Sequence, residues 1–332
     1  MAYFIQQTLV FMVPLMIVAL AGTFSERSGV INLALEGIMI FGAFMGVLFI
    51  RIFSDAGLTQ AQAQLLLVVG ILASMLGGVL FSLLLALSAI NLKADQTIGG
   101  TALNLLAPAL VMFMIIAITG SNTINTPSSL DFMLYRGDFG IPEGKDLNLF
   151  EQIFMNKIYL SNWYAIIIYI ILSIILYFTK FGLRLRSCGE YPQAADSVGI
   201  NVKKMRYAGV LISGGLAGFG GFLFALAAAG GASTADVAGM GFLALAVMIF
   251  GNWNPLTIAG AAFVFGACKC VASGYSYIDF NGDGIYALAN LGISKYIYMM
   301  IPYVATLLIL AFTSKNSHAP KAEGQPFDHG QR

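Results

Sequence analysis

Residues Tyr3 to Phe24 form an apolar run without one charged side chain, and comparable runs recur through most of the 332 residues. About twenty such residues, at about 1.5 Å each, cross the roughly 30 Å hydrocarbon layer as a helix. Lipid offers the backbone no partner, so each crossing segment must satisfy its own N–H and C=O groups. The composition agrees: 58% of residues are hydrophobic and 10% charged. That charge is too sparse to coat a soluble globule, whose charged share is about a quarter. The expected fold is all-α, a polytopic transmembrane bundle of about eight to ten helices with broken or re-entrant segments. Residues 1–313 form the membrane domain, and 314–332 read as a polar, disordered tail. No basic residue precedes Arg27 and no small-residue cleavage pattern ends the first run, which is expected to be a retained helix.

Several function classes are excluded. A formal net charge of +1 provides no basic surface for nucleic acid. Cys188, Cys268 and Cys270 make neither a disulfide framework nor a metal-ligand set, and the two histidines, His318 and His329, both lie in the tail. No GxxxxGK[ST] occurs, so the chain has no phosphate-binding loop of its own.

Two glycine-bearing interruptions break the apolar pattern without room for a proper loop. The first spans Ser25 to Gly37 and the second Gly230 to Gly241. Unwound backbone at membrane depth persists only where it is buried in protein or lines a cavity, so paired interruptions point to a substrate pathway. Asn32, Glu36, Asn104 and Asp236 are the candidate pathway residues. A charge at the bilayer centre costs about 2.5 to 3.5 kcal/mol on insertion scales, so Glu36 must face protein or water. It either lines the pathway or pairs with Arg27. Asn104 and Pro108 predict a kinked or partly unwound fourth segment. Lys269, alone in its run, either snorkels to the interface or meets a partner carboxylate. Met39-Ile40-Phe41-Gly42 recurs as Met248-Ile249-Phe250-Gly251, a faint internal repeat. Asp279 to Gly284 fits half of a calcium loop, but Asn290 stands where a bidentate Glu is needed, and an Asn-Gly turn accounts for it better.

The polar island from Phe181 to Tyr207 decides orientation. With Lys180 it gathers six of the seventeen basic residues, and such clusters stay on the cytoplasmic side. Alternating crossings then put the N-terminus outside and the tail inside, with eleven basic residues inside, five outside and Lys269 in a run. Within the island Pro192 suits a first helical turn and Gly199 a stop. A short helix outside the bilayer is expected, offered to a partner or simply solvated.

Three blocks taken together, ERSGVINLALEGIMIFGAFMG (Glu26–Gly46), GEYPQAADSVGINV (Gly189–Val202) and GFLALAVMIFGNWNPLTIAGAAFVFG (Gly241–Gly266), resemble the permease subunits of bacterial ATP-binding cassette (ABC) importers. The group is that of branched-chain amino acid, ribose and nucleoside permeases, with greatest likeness to nucleoside permeases served by a basic-membrane-protein type receptor. The resemblance implies that the island is the coupling loop docking on an ATPase, with Glu190, Ala194, Ala195, Gly199 and Ile200 at the contact and Arg184 and Arg186 flanking it. It further implies an inner-membrane location and three partners: an ATPase subunit, a second, different permease and an extracytoplasmic binding protein. ATP and magnesium would be held by the ATPase, with no cofactor on this chain and no bond made or broken by it. Nucleosides are the first substrate implied, with sugars and flavins open. An ion-coupled secondary transporter is the alternative, although the runs offer few ionisable groups for it.

Overall fold

The computed structural model describes residues 2–57, 60–142, 148–154, 156–276, 287–313 and 318–328. The apolar runs become helices: α1 (Ala2–Glu26), α2 (Leu35–Asp55), α3 (Ala63–Ala86), α4 (Gln96–Thr119), α5 (Leu149–Phe154), α6 (Leu160–Phe178), α7 (Lys180–Glu190), α8 (Pro192–Ser197), α9 (Val202–Ala227), α10 (Met240–Phe250), α11 (Pro255–Gly274), α12 (Ala287–Asn290) and α13 (Lys295–Thr313). Among the described residues seven helices, namely α1, α2, α3, α4, α6, α9 and α11, are long and apolar enough to cross a membrane. Helix α13 has nineteen residues, and α10, at eleven, does not reach across alone. At about 1.5 Å per residue α10 covers about half the hydrocarbon layer. The chain is thus a multi-pass membrane protein built as the broken helical bundle that its apolar runs predict.

Helix starts follow from local chemistry. Asp95 accepts from the Thr97 and Ile98 amides at 2.8 and 3.0 Å and opens α4. Asn201 accepts from Lys204 at 2.9 Å and opens α9. Asn254 accepts from Leu256 at 3.0 Å, with Pro255 in the first turn of α11. Each short polar side chain replaces a helical acceptor that an N-terminal amide lacks. Pro108 does not unwind the fourth segment, since α4 is one continuous helix.

Helices α1 and α9 are the most enclosed, and α4 and α6 lie at the periphery with apolar side chains turned outward. The glycines of α9 explain its central place. A side-chain carbon on Gly42 of α2 would collide with the backbone of Gly218, one on Gly78 of α3 with the Gly214 carbonyl, and one on Gly221 with the Met39 carbonyl. The GGLAGFGGF run therefore lets three helices of this chain approach backbone to backbone.

Beyond the far ends of α4 and α9, β1 (Ile124–Asn125) pairs antiparallel with β4 (Ala232–Ser233), and β2 (Met133–Tyr135) pairs with β3 (Lys157–Tyr159). The calcium-like segment, 279–284, falls outside the described residues.

Candidate functional site

The two interruptions, remote in sequence, meet inside the bundle. The first, Arg27 to Ala34, separates α1 from α2, and the second, Ala228 to Gly239, separates α9 from α10. A buried backbone group left unpaired costs about 1–3 kcal/mol, so both need outside partners. Glu36, on the first turn of α2, serves the second interruption. Its Oε1 accepts from the Gly239 amide at 2.9 Å, and its Oε2 from the Gly241 and Phe242 amides at 2.6 and 3.3 Å. These amides open α10, whose N-cap is a glycine with no acceptor of its own. A carboxylate there also meets the positive end of the helix dipole.

Asn104 of α4 serves the first interruption, donating to the Leu33 carbonyl at 2.6 Å and accepting from the Gly37 amide at 2.8 Å. Asn32 is fully buried: its Oδ1 accepts from Ala34 at 3.1 Å and its Nδ2 donates to Ser213 Oγ of α9 at 2.9 Å. Lys269 of α11 donates to the Ala238 carbonyl at 2.8 Å. Asp236 is exposed and accepts from the Ala238 amide at 2.8 Å. Around it Ala235, Ala238 and Gly239 take left-handed backbone, φ 58°, 54° and 73°. For alanine this costs on the order of 1–2 kcal/mol, held by the surrounding contacts.

Asn32, Glu36 and Asn104 are therefore gathered at one junction, with Asp236 at its exposed edge. Two pairings do not occur. Arg27 lies 3.5 Å from Glu190, not against Glu36. Lys269 meets a backbone carbonyl, and among the described residues it forms no ion pair with a carboxylate. The MIFG segments are not equivalent either, for Met39–Gly42 opens α2 and Met248–Gly251 ends α10.

The island folds as α7, the short α8 and the first turns of α9. Helix α7 begins at Lys180, where Thr179 Oγ1 accepts from the Gly182 amide at 3.3 Å. The chain turns at Tyr191, and α8 starts on Pro192 as its ring predicts and stops before Gly199, φ 84°. Ala194 and Gly199 are exposed, Ala195 is buried beneath and Ile200 is half-buried. With Ser187, Glu190, Tyr191 and Val198, the residues Ala194, Ala195 and Ile200 line a shallow groove of about 280 Å³. Tyr191 and Val198 keep 59% and 75% of their surface open, a large apolar exposure on so short a helix. Arg184 is exposed. Arg186 instead lies over the Tyr177 ring at 4.8 Å and donates to the Tyr177 carbonyl at 3.2 Å, and Tyr177 Oη donates to the Trp253 carbonyl. Arg186 and Glu190 thus fasten the island to the bundle.

The tail differs from its sequence reading. Residues 318–328, expected to be disordered, lie against the island: Phe327 is buried with Cys188, Ala195 and Val202. Burial pushes the Cys188 thiol up to about 11. Sequence reasoning also missed Glu26, Gln96 and Arg206. Gln96 Oε1 accepts from the Ile31 amide at 2.7 Å, and Trp253 Nε1 donates to Glu26 Oε2 at 2.6 Å. The available signals were polar residues at the very ends of apolar runs and one aromatic ring inside a polar tail.

Relatives cover nearly the whole chain. The guanosine ABC transporter permease protein NupQ of Bacillus subtilis (strain 168) is 40% identical over 98% of this chain and 96% of its own length. The nucleoside ABC transporter permease protein NupC of Lactococcus lactis is 38% identical over 95% of this chain and 93% of its own. A second permease of that organism, NupB, also described as a nucleoside ABC transporter permease protein, is 24% identical over 85% of this chain and 74% of its own length. No solved structure matches the chain significantly. Residues 4–312 match the branched-chain amino acid transport system permease component, and the chain belongs to that family.

Proposed function

We propose that this chain is the membrane-spanning subunit of an inner-membrane ABC importer that takes up nucleosides. The observation that carries the substrate class is the 40% and 38% identity, over nearly full length, to permeases described as transporting guanosine and nucleosides. Two nucleoside permeases of one organism, matching this chain at 38% and 24%, support a complex of two unlike permeases. The island end of the bundle, where the basic residues collect, is cytoplasmic. There the groove along α8 receives the ATPase, through Glu190, Ala194, Ala195, Gly199 and Ile200, with Arg184 beside it. Arg186 acts from behind, holding α7 on Tyr177. ATP and its magnesium are bound by the ATPase.

The junction of the interruptions is the moving part of the pathway. Glu36 of α2, Asn104 of α4 and Asn32 within the first interruption hold the unwound backbone, so a shift of the first interruption carries the N-terminus of α10 with it. Asp236 stands where a solute first meets that junction from outside, the binding protein having delivered it there. No charged group of this chain needs to take up or release an ion for such a movement.

The test is uptake by proteoliposomes holding both permeases, the ATPase and the binding protein. Labelled guanosine should accumulate only with internal ATP, and Arg184→Glu should cut uptake about tenfold while ATP is still hydrolysed. Uptake that follows a proton gradient without the ATPase overturns the reading. Binding of pentoses or riboflavin, but not nucleosides, by the receptor overturns the substrate class.

A further inference from the structure

The seated tail touches every part of the island end that the proposed coupling has to connect. The His318 amide donates to Asn252 Oδ1, in the turn between α10 and α11, at 2.8 Å. The Ala322 amide donates to the carbonyl of Gly189, near the end of α7, at 2.9 Å. The Gly324 amide reaches the Gly29 carbonyl of the first interruption at 3.3 Å, with a left-handed φ of 75° that brings its bare α-carbon against Ile31. Asp328 takes Lys93, before α4, at 2.8 Å.

Two side chains make this more than a surface contact. Among the described residues Arg206 is the largest fully buried side chain, 1% exposed, and its Nε and Nη2 find no hydrogen-bond partner there. Its Nη1 donates to the tail carbonyl of Gln325 at 2.8 Å. Leaving the tail would strip a buried guanidinium of that bond, and an unpaired buried charge is strongly unfavourable. Phe327 packs on Cys188, Ala195 and Val202, from α7, α8 and α9 in turn. Helix α8 has six residues, too few to hold a helix by itself, and it buries only Pro192 and Ala195. Its position is therefore set by what lies beneath Ala195, and part of that floor is Phe327.

We infer that the segment His318–Asp328 is a clamp that positions α8 and ties it to the first interruption, with Phe327 and Arg206 as the positioning residues for coupling. A displacement of α8 moves Phe327, and the backbone from Phe327 back to Gly324 carries it to Gly29 and so toward Asn32 and Glu36. The clamp shares a wall with the groove, because Ala195 lines the groove and packs on Phe327, and Lys321 lies over the ring of Tyr191 at the groove's edge at 5.3 Å. The inference rests on the ABC-importer reading for the meaning of coupling, but the seat of the tail can be measured without transport.

The experiment uses the full chain with Cys268→Ser and Cys270→Ser, leaving Cys188 as the single thiol. Phe327→Ala should raise the labelling rate of Cys188 by a maleimide about tenfold in membranes, and lower nucleoside uptake per ATP hydrolysed by a similar factor, while the ATPase still copurifies. Phe327→Leu, which refills the site, should restore both. Unchanged labelling in Phe327→Ala overturns the seat, and raised labelling with unchanged uptake per ATP overturns the positioning role. Loss of ATPase copurification also overturns it, because the tail would then be docking surface. Failure of the parent protein to take up nucleosides would count against the proposed substrate alone. Labelling and receptor-stimulated ATP hydrolysis would then still decide the clamp.

Discussion

Glu36 shows how much a single side chain can hold together. Its two oxygens accept three amides from the start of α10, across the whole separation between the interruptions. Glu36→Gln keeps the shape but puts an NH2 group against one or more of those amides and removes the charge. Hydrogen bonds to a charged group contribute about 1.5–3 kcal/mol, so the variant should lose about 2 kcal/mol of stability. Heating the detergent-solubilised protein and following its monodisperse fraction should show a lower midpoint, together with reduced uptake. An unchanged midpoint would leave Glu36 with a pathway role and no capping role. In the sequence only the discomfort of Glu36 is legible, a charge just inside an apolar run. Its partners lie two hundred residues away and are backbone amides, which have no sequence signature.

At the scale of elements, the glycines of α9 separate packing inside the chain from contact with another. Gly42→Leu should force α2 away from α9, because the added carbons meet the Gly218 backbone. Overpacking typically costs about 1–3 kcal/mol, and backbone cannot step aside as a side chain can. The yield of folded protein in membranes should fall severalfold. Gly260→Leu on α11, where an added carbon has nothing within 4 Å, should leave the yield unchanged. Equal effects from the two would refute the packing account. The start of α8 on Pro192 and its stop before Gly199 were readable because proline and glycine act on their own backbone. Helix α7 was hidden, since its basic and glycine residues read as loop until Leu185 and Cys188 are seen to be buried.

For the whole molecule, the buried Glu323 of the tail predicts a pH-dependent seat at the island end. Burial pushes the Glu323 carboxyl up to about 7, opposed by the Arg27 charge and by a hydrogen bond with Glu26. The seated tail thus holds a proton more tightly than a free one does. Seating is strongest below the ordinary carboxyl range and weakens as pH rises above it. Hydrogen exchange over 318–328, corrected for its intrinsic pH dependence, should speed up as pH rises above the ordinary carboxyl range. Glu323→Gln should flatten that profile, and a profile already flat in the parent protein would refute the shift.

The sequence by itself determined that this chain crosses a membrane many times, where its crossings are interrupted and which end carries the basic island. Those properties come from local hydrophobicity, charge density and the backbone habits of proline and glycine, and they survive whatever the rest of the chain does. Only the tertiary structure decided that the two interruptions meet, that Asn32, Glu36 and Asn104 serve their backbone, and that Phe327 packs on Ala195 of α8. Each of these is a contact between segments remote in sequence. Backbone groups that leave a helix must be paired somewhere, but composition does not say by which residue, and a polar tail with one ring in it reads as disordered until a matching apolar floor is found beneath it.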